Sequence, residues 1–147
     1  MKKIKIEKNT VQETLIVPLY GRKMCTEKFP TLYSDSFAVD FCNKLDYDFS
    51  DLEKKRDNVL YEFGGLEAAM RQLAMRWEIA EYLKIHPKAS VVNLGCGLDQ
   101  TGRVLDNGTC KTYNLDFPDI IKIRTDLMPV GDREENIQTD LRDYSWM

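Results

Sequence analysis

A run of strand-forming residues that breaks into a glycine turn, Val91-Val92-Asn93-Leu94-Gly95-Cys96-Gly97-Leu98-Asp99, constrains this chain more than any other feature, because a second apolar run follows and ends on Asp116. Gly-x-Gly after a strand lets the backbone turn sharply and approach a ligand with no Cβ in the way. An acidic residue about 20 positions after the first glycine falls at the tip of the next parallel strand, where a carboxylate can accept hydrogen bonds from ribose hydroxyls. Asp116 has that spacing. Cys96 lies inside the turn, where the geometry asks for a small side chain. The plainer reading of the same residues is a buried strand with an ordinary turn after it.

The loop also says which nucleoside it suits. A dinucleotide fingerprint has a third glycine three positions after the second, which lets the helix pack tightly on the strand while its N-terminus faces a pyrophosphate. Here that position is Gln100. A ligand with a ribose and no phosphate fits this loop better, and S-adenosylmethionine is such a ligand.

Around the loop the chain reads in two parts, residues 1–88 as a helical extension and residues 89–147 as alternating strand and helix. Ser34-Asp35-Ser36 is a helix start before Phe37, Ala38, Phe41 and Leu45, and Asp48-Phe49-Ser50-Asp51 starts a short charged helix. Leu66, Met70, Leu73, Trp77 and Ala80 recur at helical spacing after Gly64-Gly65, which predicts one long amphipathic helix ending near His86-Pro87 with its aromatic and Met positions in the core. The second part predicts strand 89–94, a short helix after Gln100, a turn at Asn107-Gly108, strand 112–115, helix 118–127 and a weak strand 136–139. Such alternation demands parallel pairing and right-handed crossovers, so Gly95 and Asp116 face one crevice.

Composition narrows the function classes. With 147 residues, 43% apolar and 31% charged, the chain is an ordinary globular domain with room for a core. A net charge of −3 leaves no electrostatic footprint for nucleic acid or an anionic membrane, and the basic cluster of Lys2, Lys3, Lys5 and Lys8 reads as a solvated terminus. No apolar run reaches membrane-spanning length and no secretory segment opens the chain, so a cytoplasmic location is expected. Cys25, Cys42, Cys96 and Cys110 form no Cys-x-x-Cys pair and have one histidine, His86, as a possible co-ligand. Free thiols and no metal site follow.

Five separated motifs carry a resemblance: Ile16 to Arg22, Leu45 to Ser50, Val91 to Asp99, Tyr113-Asn114-Leu115-Asp116-Phe117-Pro118, and Asp140-Leu141-Arg142-Asp143-Tyr144-Ser145-Trp146. In this order they resemble the leucine carboxyl methyltransferase family of S-adenosylmethionine-dependent O-methyltransferases, including its bacterial and polyketide-tailoring branches. The resemblance covers essentially the whole chain. It implies an α/β, Rossmann-like methyltransferase fold, a parallel sheet with flanking helices behind an amino-terminal helical extension.

The same resemblance implies roles. Gly95, Cys96, Gly97 and Asp99 line the methionine and ribose side of the cofactor, Asp116 holds the ribose hydroxyls with Phe117 beside it, and Asp140 and Leu141 receive the adenine. Arg71 matches the arginine that clamps the cofactor's carboxylate as a bidentate pair, with Arg76 as its nearby rival and a solvated helix charge as the plain alternative. Arg22 matches a basic residue near the active-site entrance. Methyl transfer from a sulfonium needs orientation and exclusion of water rather than a protein nucleophile. With an ionised carboxylate of a small molecule or peptide as acceptor, no general base is needed either, so no catalytic residue is assigned.

Two departures stand out. Gln100-Thr101-Gly102 replaces the threonine that many members carry directly after the loop aspartate. Family members also continue for roughly another chain length past the Asp-Tyr-Ser-Trp motif, so the chain resembles their amino-terminal half. Three readings remain open: a methyltransferase or its amino-terminal half, a silent module that binds the cofactor or its demethylated product, and a fragment that works by association. A half-sheet would leave an open edge, through which self-association is expected.

Overall fold

In the computed structural model, which describes residues 3–144, the chain folds as two units, Met1–Leu73 and Ala74–Met147. Lys2, Ser145 and Trp146 of the sequence motifs lie outside the described residues.

The first unit begins with strand β1 (Ile4–Lys5). A short 3-10 helix at Val11–Leu15, capped by Thr10, runs into helix α1 (Ile16–Lys28). Helix α2 (Ser36–Lys44) starts where the sequence placed it, with Asp35 Oδ1 accepting from Ala38 N at 3.0 Å. Strand β2 (Leu45–Asp46) pairs in parallel with β1, Ile4 opposite Leu45. This pair corrects the wholly helical reading of the region, since two-residue strands are too short to leave a period in the sequence. Lys5 belongs to a strand, and both it and Lys8 are exposed as the reading of a solvated terminus expects; Lys8 Nζ sits 5.5 Å from the centre of the Tyr47 ring. Helix α3 (Ser50–Lys54) is the short charged helix, with Asp48 Oδ1 accepting from Ser50 N.

Helix α4 (Val59–Ile85) is longer than its apolar period suggested. It starts behind Asn58, whose Oδ1 accepts from Leu60 N at 3.0 Å, and continues through Gly64-Gly65. Gly65 is there for close packing rather than as a breaker. A Cβ on it would lie 2.4 Å from Met24 Cε, and one on Gly21 would lie 3.3 Å from Gly65 Cα. Because α1 comes this near, the buried stripe of α4 in this unit is made of small and polar residues, Gly65, Ala69 and Gln72. Met70, an expected core position, turns outward as a result and is 40% exposed; Trp77, in the second unit, is 62% exposed. The helix carries on into the second unit, so the division falls inside it.

In the second unit β3 (Ser90–Leu94), α5 (Thr101–Val104), β4 (Lys111–Asp116), α6 (Pro118–Leu127) and β5 (Glu134–Gln138) follow in turn. The strands form a parallel sheet in the order β3-β4-β5, with Leu94 opposite Leu115 and Leu115 opposite Ile137. This is the expected βαβαβ arrangement, a mixed helix and strand unit compatible with an α/β methyltransferase fold. Its third strand begins two positions earlier than read, at the polar Glu134 and Glu135 that hide its period. Ile120, Ile121, Ile123 and Leu127 of α6 are buried, as are Thr112, Asn114 and Leu115 of β4. Central β4 is therefore a covered strand, whereas on β3 Val92 and Leu94 remain half exposed.

Candidate cofactor site

Parallel pairing sets the loop after β3 against the tip of β4. Gly95 N and Cys96 N both donate to Leu115 O, at 2.9 and 3.1 Å, so the turn begins by extending the sheet. Gly95 and Gly97 have φ of 65° and 47°, a left-handed backbone that favours glycine at both positions. Asp116 then closes the turn: its Oδ2 accepts from Gly97 N at 2.9 Å and its Oδ1 from Phe117 N at 2.8 Å. The structure thus brings together Gly95, Cys96, Gly97 and Asp116. Each carboxylate oxygen carries two lone pairs, so this half-exposed group keeps acceptor capacity after holding both amides.

The start of α5 is already filled by an anion of the chain itself. Asp99 Oδ2 accepts from Thr101 N at 3.0 Å and from Asn93 Nδ2 at 3.1 Å, and Oδ1 accepts from the Thr101 hydroxyl at 3.0 Å. A phosphate brought there would meet a carboxylate. The packing role of the missing third glycine has moved rather than vanished. A Cβ on Gly102 would lie 2.3 Å from Thr112 Cγ2, so α5 does press on β4 with Gly102 at the contact. Gln100 is fully buried and donates to Leu98 O at 2.8 Å.

Cys96 turns inward, 2% exposed, and burial pushes its thiol up to about 12, so it stays protonated and is no nucleophile at neutral pH. Phe117 keeps part of its ring exposed beside Asp116. Asp116 O accepts from Thr139 N at 2.9 Å, which lays the segment after β5 beside the tip of β4 and carries Asp140 and Leu141 to that side. The Asp140 carboxylate is not idle there: Arg142 Nε and Nη2 reach it at 3.0 and 2.6 Å, and this pairing holds its carboxyl down at about 2.

The arginines divide between the units. Arg71 is an exposed residue of the first unit. Arg76 belongs to the second, with its Nε 3.4 Å from Thr101 Oγ1, the hydroxyl that also donates to Asp99. Arg22 is buried, with Nη1 2.9 Å from Asp35 Oδ2 in the first unit. Sequence reasoning missed Arg124 of α6. It is 2% exposed and its Nη1 donates to Gly97 O at 3.0 Å and Asp99 O at 2.6 Å. The available signal was a charge on the stripe Ile120, Arg124, Leu127, which is otherwise apolar. Among the described residues no group of His, Cys, Asp and Glu is placed to hold a metal, and no helix is long and apolar enough to cross a membrane.

No family model matches the chain. It is similar to the tetracenomycin polyketide synthesis O-methyltransferase TcmP of Streptomyces glaucescens, with 26% identity over 138 residues, 93% of this chain and 49% of that protein. The chain therefore spans about half the length of the curated relative it matches, and the similarity supports methyltransferase ancestry without pointing to the leucine carboxyl branch.

Proposed function

We propose that this chain is the cofactor-binding part of an S-adenosylmethionine-dependent O-methyltransferase. One observation carries the reading: the loop that would hold a pyrophosphate is closed by Asp99, while Asp116 stands at the same loop with acceptor capacity left for ribose hydroxyls. The similarity to an O-methyltransferase of polyketide synthesis supports the same conclusion independently. Bound S-adenosylmethionine would supply an activated methyl group on sulfur. The chain's own work is then binding and orientation: Gly95 and Gly97 admit the ligand to the backbone, Asp116 takes the ribose, and Asp140 and Leu141 receive the adenine. The carboxylate clamp is Arg71, as the resemblance implies, with Arg76, whose Nε lies 3.4 Å from Thr101 Oγ1, as its rival. The acceptor is an oxygen of a small molecule or peptide, with a carboxylate as our first choice because it needs no base at neutral pH. Transfer from methyl-labelled donor tests this: base-labile label supports an ester, and base-stable label rejects the carboxylate.

A second reading is favoured by β3. Its outer side has no strand partner among the described residues, and its half-exposed Val92 and Leu94 suit a strand inside a larger sheet. On this reading the chain acts with another polypeptide or a second copy covering that edge. A monodisperse monomer that unfolds cooperatively would reject the second copy.

A further inference from the structure

We propose that Arg124 is a positioning residue for the cofactor loop, holding Gly97 and Asp99 in the conformation that accepts the ligand; this rests on the site reading given above. Gly97 is clamped from both sides, its N–H by Asp116 on β4 and its C=O by Arg124 on α6. The same nitrogen, Nη1, also donates to Asp99 O, so one planar –NH2 end of the guanidinium holds two carbonyls two residues apart. Between them lies Leu98, itself 3% exposed.

Burial makes this more than incidental packing. Arg124 is 2% exposed and, among the described residues, has no carboxylate within ion-pair distance. Desolvating a guanidinium is costly, and apolar side chains of similar volume often do as well or better for stability at such positions. A methionine would continue the Ile120 and Leu127 stripe without that cost. What it could not do is hold two loop carbonyls. The left-handed turns at Gly95 and Gly97 take the backbone out of a helix or sheet ladder, and Arg124 meets it there at Gly97 O and Asp99 O.

The test compares Arg124→Met and Arg124→Lys with the unaltered chain by urea unfolding, by amide exchange of the peptide spanning 95–101 without ligand, and by calorimetric titration with S-adenosylhomocysteine. The expected result is local. Exchange of the loop amides accelerates at least about tenfold in Arg124→Met, while exchange across β4 and β5 changes less than about twofold. Homocysteine-derivative affinity falls about tenfold or more, the consequence of two charge-assisted bonds unmade. Arg124→Lys, which keeps a donor and the charge, recovers part of both. A merely structural arginine gives the opposite pattern: protection lost evenly through the second unit and affinity intact in the folded fraction. If Arg124→Met does not fold, Arg124→Lys decides alone, since loop exchange and affinity equal to those of the unaltered chain overturn the proposal. Failure of the unaltered chain to bind refutes the cofactor reading instead, and the ligand-free exchange still decides what Arg124 does.

Discussion

Replacing Gly102 by alanine places a methyl group 2.3 Å from Thr112 Cγ2, 2.6 Å from its Oγ1 and 3.0 Å from its Cβ. None of these atoms can retreat easily. Thr112 is 3% exposed on the central strand, its N–H donates to Arg133 O at 2.9 Å, and it pairs in register with Glu134. Overpacking of this kind costs typically about 1–3 kcal/mol. Gly102 has no left-handed backbone to protect, so alanine recovers up to about 1 kcal/mol of helix propensity, which a four-residue helix realises only in part. The net loss should be about 1–2 kcal/mol, read as a lower urea midpoint at unchanged slope. The diagnostic is a cycle with Thr112→Ala, which removes the two nearest atoms and leaves the 3.0 Å contact. In that background Gly102→Ala should cost at least about 1 kcal/mol less, the size of coupling expected for touching residues. A neutral or stabilising Gly102→Ala, or strict additivity with Thr112→Ala, would refute the claim that Gly102 serves the packing role of a third fingerprint glycine.

In the first unit, Asp35→Ala removes both the cap of α2 and the carboxylate beside buried Arg22; we expect a loss of about 3–5 kcal/mol, and a change below about 1 kcal/mol in urea unfolding would contradict it. The four cysteines are buried and free, so iodoacetamide at pH 8 should label none of them until urea unfolds the chain; fast native labelling of Cys96 would contradict the inward orientation. Burial pushes the Cys42 and Cys96 thiols from 9.0 up to about 12. The unfolded chain therefore loses these protons first, and their share of stability, complete below pH 9, is lost as pH rises toward 12. Cys96→Ser should flatten that fall, and an unchanged profile would remove Cys96 as a source.

The second unit was legible because its signals are local and unusual. Gly-x-Gly after an apolar run, Pro118 at a helix start and Asn107-Gly108 at a turn each dictate backbone geometry in a few residues, and the structure follows them. Asp116 was legible because parallel pairing fixes where a strand tip lies. What the sequence did not disclose depends on how elements approach one another. Gly65 looked like a boundary because glycine weakens isolated helices, yet contact with α1 makes its missing Cβ an advantage. The large apolar residues of α4 looked like core because they recur at helical spacing, although in the first unit close approach selects Gly65, Ala69 and Gln72 for the buried side. Gln100 looked like the loss of a fingerprint glycine, when the contact had shifted to Gly102. Arg124 is the instructive omission, since its partners are loop carbonyls that no residue pattern can announce.

On the reading proposed above, the Gly95–Asp99 loop and Asp116 form a site for a phosphate-free nucleoside ligand. Calorimetric titration with S-adenosylhomocysteine, on the chain as it stands and on Asp116→Ala, tests it most directly. Binding of roughly micromolar strength is expected, weakened by about 1–3 kcal/mol in the variant, which is about 5- to 150-fold in affinity. No binding by the folded chain, or equal binding by both proteins, would contradict it.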